Sequence, residues 1–134
     1  MKKILLIAFV LFQLSTFAQQ KKDTVKFIQK PKLVTLNLSS DKYQPLLKGF
    51  PETSSLKSGF VTLKPGGSVG EHSTEDNEEM LVVLEGQCEL IIGNKKSKLQ
   101  KGIISYCPAH TKHNIKNTGK TPVKYIYIVA KAQN

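Results

Sequence analysis

The 134-residue sequence contains no arginine and no tryptophan, although it has 20 basic residues, 10 acidic residues and a formal net charge of +10. Every basic residue is therefore a lysine, and the lysines are scattered along the chain. Arginine is the side chain that binds phosphate and guanine with two hydrogen bonds. Its absence argues against nucleic-acid binding and favours a solvated basic surface. Lysine or tyrosine would have to contact any substrate carboxylate or sugar.

Cysteine is also scarce, because Cys88 and Cys107 are the only two in the chain. An even number of cysteines permits a disulfide in an oxidising compartment. Two buried free thiols are an equal alternative, because unpaired cysteine packs as a small apolar residue. The sequence leaves both alternatives open.

The sequence lacks an apolar run of the roughly 20 residues that a membrane-spanning helix needs. Residues 1–18, MKKILLIAFVLFQLSTFA, instead combine two lysines, a short apolar run and small or polar residues at positions −3 and −1. This layout is typical of a secretory signal peptide. We expect cleavage between Ala18 and Gln19 and export to the periplasm or the exterior, with no lipid anchor because no cysteine follows the apolar run.

Helical periodicity and internal repeats are absent from the remaining chain. Residues 19–32 are polar and lysine-rich and predict a flexible leader, whereas residues 33–134 predict one domain with a single core. Residues 39–55 predict a loop with one short helical turn. The predicted strands are LVTLNL (33–38), LKSGFVTL (56–63), EMLVVLE (79–85), CELII (88–92), SKL (97–99), IISYC (103–107), HNIKN (113–117) and VKYIYIVAK (123–131). Short strands separated by Gly, Pro, Asn and Lys predict an antiparallel sandwich or barrel.

Half of the chain's carboxylates are concentrated in nine positions: Glu71, Glu75, Asp76, Glu78 and Glu79. Strand alternation puts Glu79 on the same face as Leu81 and Val83, and Glu78 on the opposite face. EMLVVLE is apolar on both faces, which predicts a strand buried on both sides. We therefore expect Glu79 to point inward and to have a metal, histidine or lysine partner, because an unpaired buried charge is costly.

Two segments resemble the paired motifs of the cupin superfamily, which are small barrels that usually hold a divalent metal. The first motif is matched by Gly66, His72, Glu79 and Gly86, with Thr74 at the place of a second histidine. The second motif is matched by Gly102, Pro108, His113 and Asn117, with His110 at the place of a glycine. The resemblance covers residues 56–130.

The resemblance implies an all-β, antiparallel double-stranded β-helix (jelly-roll) barrel and a homodimer. It also implies that His72, Glu79 and His113 bind a divalent metal. Two imidazoles and one carboxylate suit Fe, Mn, Zn or Ni in the divalent state, with positions left open for substrate, O₂ or a reactive water. The acidic residues Glu71, Glu75 and Asp76 are then either a solvated loop or a means of concentrating cations at the entrance.

Thr74 departs from the family motif, and three arrangements are consistent with the change. The site works with three ligands, which we favour, or His110 replaces the absent histidine, or metal is not held at all. Thr74 and His110 are accordingly secondary ligand candidates. Strand parity offers further cavity-lining candidates, for which core packing is the main alternative: Cys88, Tyr106, Cys107, Asn117, Tyr125 and Tyr127.

The function predicted from the sequence is that of an exported cupin that binds a divalent metal and acts on a small molecule. Oxygenase, isomerase and hydrolytic chemistry all fit such a site. One alternative is a non-catalytic cupin that binds or senses a small ligand such as a sugar. A structural envelope protein is a further alternative, because it would explain the replacement of a metal ligand by Thr74.

Overall fold

The computed structural model describes residues 29–133, and over that range it contains nine β-strands and no helix. The predicted signal peptide (residues 1–18) and most of the predicted leader (residues 19–32) lie outside the described residues. The strands are β1 Gln44–Lys48, β2 Lys57–Leu63, β3 His72–Ser73, β4 Asn77–Glu85, β5 Gln87–Ile92, β6 Lys95–Gln100, β7 Ile104–Cys107, β8 Lys112–Lys116 and β9 Val123–Lys131.

The strands form two antiparallel sheets, in the orders β1-β2-β9-β4-β7 and β3-β8-β5-β6. The two longest strands, β4 and β9, lie side by side in the middle of the five-stranded sheet. The shorter sheet contains β8, which pairs with β3 on one side and β5 on the other. This arrangement confirms the predicted all-β jelly-roll barrel.

The hydrophobic core lies between the two sheets and is built from alternate residues of the strands, as the period of two requires. Leu81 and Val83 of β4 are almost fully buried, and Glu79 is buried on the same face, as predicted. The four-stranded sheet contributes Leu90 from β5 and Ile115 from β8. The inward direction of Glu79 follows from its place in this alternating row.

The predicted strand over residues 33–38 is wrong, because the structure assigns no strand there and leaves Leu33 fully exposed. The neighbouring prediction of a loop with a helical turn over residues 39–55 is also wrong in part. It contains β1, whose Gln44 pairs with Phe60 of β2. Alternation alone does not make a strand, because the backbone also needs a free sheet edge to bond to.

The outer face of β4 is less buried than the prediction required, because Met80, Val82 and Leu84 are only half-buried. The five-stranded sheet therefore has one face in the core and one largely apolar face toward solvent. In the described part of the chain, no helix has the length and apolar character needed to cross a membrane.

Candidate metal centre

His72 and His113 are brought together by strand pairing. They are directly opposite each other in the register of β3 and β8, and their ring centroids are 4.3 Å apart with an interplanar angle of 55°. The His113 side chain is fully buried, whereas the His72 side chain is partly open to solvent. The pair therefore has one imidazole in the protein interior and one at the mouth of the barrel.

Glu79 reaches the two histidines from β4, which lies in the opposite sheet. Its Oε2 atom lies 2.9 Å from Nε2 of His113 and 3.9 Å from Nε2 of His72. The possible ligand atoms of the three side chains all lie within 4.8 Å of one another. Two ligands at about 2.1 Å from one metal ion are themselves about 3.0–3.4 Å apart in common geometries. The contact between His113 and Glu79 is close to this spacing, whereas His72 lies farther away and would move closer to bind the same cation.

Both imidazoles are oriented by backbone carbonyls on the side away from Glu79. Nδ1 of His72 lies 3.0 Å from the Gly70 oxygen, and Nδ1 of His113 lies 3.2 Å from the Thr111 oxygen. When Nδ1 donates its proton to a carbonyl, Nε2 presents a lone pair. This support of the outer ring nitrogen is the common arrangement around metal-binding histidines.

Within the described residues, the buried Nε2 atom of His113 has no well-formed hydrogen bond. It lies 2.9 Å from Oε2 of Glu79, which is the distance of an ion pair. Buried polar atoms normally find partners. In the neutral tautomer this contact places two acceptors against each other, and a proton or a cation between them relieves the repulsion.

The pKa of His113 is raised above its usual range, chiefly by the Glu79 carboxylate, and the Thr111 carbonyl adds to the effect. Burial opposes the shift because it disfavours the imidazolium form. A proton therefore occupies this position more readily than in a free histidine. The donor set also fits a divalent transition metal, because two neutral imidazoles and one carboxylate suit Fe, Mn, Ni and Zn.

Thr74 lies beside the three potential ligands, but its hydroxyl is already engaged. Oγ1 donates to the Pro108 carbonyl at 2.8 Å and accepts from the Thr111 amide at 2.9 Å. The Thr74 amide also donates to the Thr111 carbonyl. Thr74 therefore joins the β3–β4 turn to the loop between β7 and β8.

His110 is not part of the three-residue cluster, so the structure contradicts its assignment as a replacement ligand. Its ring is mostly exposed, and Nε2 lies 3.6 Å from Asp76. The backbone of His110 is left-handed, with a φ of 58°, and its amide donates to the Glu75 carbonyl. These restraints hold the imidazole on the rim of the barrel.

Comparison with known proteins shows to which family the chain belongs. A family model described as "Cupin domain" matches residues 59–129, which is more than half of the chain. This chain belongs to the cupin family. It is 34% identical over 55 residues to an uncharacterised protein of Methanocaldococcus jannaschii, and the match covers 41% of this chain and 44% of that protein.

Solved cupin structures share the fold at low sequence identity. A cupin protein from Bacteroides fragilis has a TM-score of 0.64 and 22% identity, over 78% of this chain and 86% of that chain. A cupin 2 conserved barrel protein from Salinispora arenicola has a TM-score of 0.64 and 17% identity, over 78% and 92% of the two chains. The Cnp3 cupin domain of Schizosaccharomyces pombe has a TM-score of 0.61 and 22% identity, over 67% of this chain and 60% of that chain.

The cupin barrel encloses a cavity of about 360 Å³ next to the histidines and Glu79. Its lining comprises Val61, Val69, His72, Ser73, Thr74, Asn77, Glu79, Ile115, Tyr125, Tyr127 and Val129. Tyr125 and Tyr127 were expected on this face from strand parity. Val69 and Asn77 were not identified from the sequence, because Val69 precedes β3 outside any strand and Asn77 is the first residue of β4, before the apolar run that revealed the strand.

The other cavity-lining candidates do not line this cavity. Tyr106 is 59% exposed on the outer face of the sheet and donates a hydrogen bond of 2.7 Å to Glu78. Tyr106 pairs with Met80 rather than with an inward residue, so the parity prediction placed it on the wrong face. The carboxylate of Glu78 and burial raise the pKa of Tyr106.

The two cysteines are buried in the core as free thiols. Burial raises the pKa of Cys88 to about 11, and burial together with the nearby Glu79 charge raises the pKa of Cys107. Both side chains therefore pack as small apolar groups, which was the main alternative to a cavity role.

Asn117 is fully buried away from the cavity and supports a turn. Its Nδ2 donates to the carbonyls of Leu63 and Thr121, and its Oδ1 accepts from the Gly119 amide. Every polar atom of the side chain thus has a backbone partner. The asparagine of the second cupin motif has a structural role in this chain.

The acidic segment divides into one inward and several outward carboxylates. Glu71, Glu75, Asp76 and Glu78 are exposed, and only Glu79 enters the barrel. Glu75 and Asp76 lie on the turn between β3 and β4, Glu71 precedes β3, and Glu78 is on the outer face of β4.

Proposed function

We propose that this cupin binds a divalent transition metal through His72, Glu79 and His113 and acts on a small molecule in the adjoining cavity. The observation that carries the proposal is the buried Nε2 of His113, which has no well-formed hydrogen bond in the described part of the chain and lies 2.9 Å from a carboxylate oxygen. A metal ion satisfies both groups, and the carbonyls behind the two histidines orient their lone pairs toward it.

The residues around the site support chemistry rather than storage of the ion. Three protein ligands leave coordination positions open, and a bound metal would supply Lewis-acid or redox chemistry there. The neighbouring cavity is mainly apolar, with Val61, Ile115 and Val129 among its lining residues. Such a lining excludes water from a substrate and strengthens electrostatic interactions at the metal-binding side chains.

The test is the elemental metal content of the purified protein and two variants. We expect near-stoichiometric metal in the wild type and its loss in His113→Ala and in the nearly isosteric Glu79→Gln. His110→Ala is the matched control, because that histidine lies on the rim, and it should retain the metal. Wild-type protein that takes up none of Fe, Mn, Ni or Zn would contradict the proposal.

A second candidate is a non-catalytic cupin that binds or senses a small ligand. The engagement of the Thr74 hydroxyl by Pro108 and Thr111 favours it, because the chain then supplies one ligand fewer than a four-ligand site. Metal-free protein that still binds a small molecule in the cavity would support this candidate over the first.

We also propose that the protein is exported, since residues 1–18 have the layout of a signal peptide. The test is the mass of the protein recovered from a bacterial host that recognises such signals. Cleavage between Ala18 and Gln19 gives a chain of residues 19–134, which we expect in the periplasmic or secreted fraction. Uncleaved chain in the cytoplasmic fraction would contradict export.

We further propose a homodimer formed through the outer face of the five-stranded sheet. Ile104 pairs with Val82, which pairs with Ile126, so these three side chains form one row across three strands. Ile104 is 61% exposed, and Tyr106 lies in the next row. An apolar patch across neighbouring strands is typical of a surface that a partner covers.

A further inference from the structure

Two tyrosines of β9 face the cavity one above the other, at positions i and i+2. Tyr125 is 3% exposed, and its hydroxyl forms no hydrogen bond with any residue in the described range 29–133. Tyr125 lines the cavity. Its hydroxyl is therefore free to donate a hydrogen bond to whatever fills the cavity, either water or a ligand.

Tyr127 is held in place by a second tyrosine at the edge of the cavity. The Tyr43 and Tyr127 hydroxyls are 2.7 Å apart, and the rings are stacked with an interplanar angle of 9°. Either hydroxyl can be the donor in this contact. When Tyr43 donates, the O–H of Tyr127 remains able to donate into the cavity, beside the Tyr125 hydroxyl.

Gly59 is the residue that makes room for this pair. It lies opposite Tyr127 in the register of β2 and β9. A Cβ atom at this position would lie 2.6 Å from the Tyr43 ring and 2.7 Å from the Tyr127 ring. The absence of a side chain at Gly59 thus allows both rings to pack at the cavity edge.

The charges of the lining restrict the kind of molecule that fits. Among the described residues 29–133, no lysine lines the cavity and Glu79 is the one carboxylate that does, and the chain has no arginine. In the metal-free site an anionic ligand would therefore meet a negative side chain, whereas an uncharged one avoids that repulsion.

The cavity size sets the scale of the occupant. A volume of about 360 Å³ corresponds to about a dozen waters at about 30 Å³ each. The aliphatic part of the wall, formed by Val61, Ile115 and Val129, suits a flat or compact apolar body.

We propose that this cavity binds a small uncharged molecule with an apolar body and an oxygen that accepts hydrogen bonds from Tyr125 and Tyr127. The inference rests on the proposed small-molecule site next to the metal ligands and specifies its ligand class. Burial raises the pKa of both phenols, so they remain protonated and act as donors.

The experiment compares three probes of similar shape by titration calorimetry or ligand-detected NMR: benzyl alcohol, toluene and benzoate. It uses the full mature protein, both metal-loaded and stripped with a chelator. We expect benzyl alcohol to bind more tightly than toluene in both preparations, and more tightly than benzoate in the stripped one, where no metal can bind the carboxylate. Tighter binding of benzoate to the stripped protein, or no binding of any probe at millimolar concentration, would overturn the inference.

Two variants locate the contact. Tyr125→Phe should weaken binding of benzyl alcohol about two- to tenfold, the usual effect of one hydrogen bond, and leave toluene binding unchanged. It should not lower the free energy of unfolding, because the hydroxyl has no internal partner. Tyr127→Phe should act on benzyl alcohol in the same direction, and Tyr106→Phe, outside the cavity, should have no effect. Unchanged binding of benzyl alcohol to both cavity variants would overturn the inference.

The two proposals fail in different ways. Protein that retains no metal but binds benzyl alcohol through Tyr125 would contradict the metal function and leave this inference standing. Protein that holds metal on His72, Glu79 and His113 but shows no dependence on the phenols would contradict this inference alone.

Discussion

Thr74 shows how one side chain can change its role within the family motif. Where the motif has a second histidine, this chain has a hydroxyl that bonds both to Pro108 and to Thr111. An imidazole would extend toward the cavity, whereas the shorter hydroxyl meets the adjacent loop. Thr74 therefore stabilises the loop that precedes His113 and so positions a metal-binding side chain indirectly.

Replacement of Thr74 by valine tests this role, because valine keeps the shape and removes the hydroxyl. We expect the free energy of unfolding to fall by about 2 kcal/mol, since two hydrogen bonds are lost and the part-buried Thr111 amide loses its partner. Urea denaturation measures the change. Metal content should stay near that of the wild type, and its loss would show that the site needs the Thr74 hydroxyl, as a ligand or through the loop.

The contact between His113 and Glu79 predicts opposite pH dependences for the metal-free and the metal-bound protein. The folded-state pKa of His113 is raised above the ordinary value of 6.5. In metal-free protein its stabilising contribution is therefore complete below about pH 6.5 and is lost as the pH rises through the folded-state pKa. Metal binding needs the neutral imidazole, so metal stabilises more as the pH rises.

Both pH dependences can be measured by thermal unfolding of the protein, with and without metal, between pH 5.5 and about pH 8. We expect the Tm of metal-free wild type to fall relative to that of Glu79→Gln as the pH rises. The increase in Tm on adding metal should grow over the same interval. If Tm changes with pH in the same way in the wild type and in the variant, the contact with Glu79 does not affect the protonation of His113.

At the scale of the element, most of the strands from residue 56 onward were predictable, whereas the segment of residues 33–55 was not. The bounds of β9 agree with the predicted strand at residues 123–131, because inward residues such as Val123 and Tyr125 alternate with less buried ones. Residues 33–38 alternate as well, yet β1 takes the place at the edge of β2. Which distant strand a segment pairs with cannot be predicted from the alternation of its own residues.

The turn between β4 and β5 depends on Gly86. Its φ is +73°, and an added Cβ would lie 2.5 Å from the Pro122 carbonyl oxygen. Gly93, between β5 and β6, also has a positive φ, +56°, but its Cβ position is open. An alanine at position 93 would therefore suffer backbone strain alone, whereas an alanine at position 86 would suffer the strain and a collision.

Gly93→Ala should lower the free energy of unfolding by about 1 kcal/mol, the cost of a left-handed alanine. Gly86→Ala should cost at least twice as much, because strain and the collision with Pro122 add. Denaturant unfolding of both variants measures the difference. Equal losses would mean that the backbone near Pro122 moves aside.

At the scale of the whole molecule, the proposed dimer explains why β4 is apolar on both faces. One face of β4 lies in the core, and Met80 and Val82 on the other face are half-buried in the single chain. A second copy on the outer face would complete their burial. The strongly apolar sequence of this strand then follows from burial on both sides in the assembly.

Ile104→Lys should shift the protein from dimer to monomer, because a lysine in the middle of an apolar contact would lose its hydration. Sedimentation or light scattering at several protein concentrations measures this. Leu33→Lys is the control, since Leu33 is fully exposed away from the sheet, and it should remain dimeric. A monomeric wild type, or a dimer unaffected by Ile104→Lys, would place the interface elsewhere or exclude it.

The sequence alone determined the fold class and most of the strands, because alternation is a property of neighbouring residues. The convergence of His72, Glu79 and His113 was implied by the resemblance to the two cupin motifs, and the pairing of distant strands brings it about. Only the tertiary structure decided that His110 points away, that Thr74 bonds to a loop and that Tyr43 stacks on Tyr127. Those contacts join residues distant in the chain, and their geometry is set by how the two sheets and their loops pack.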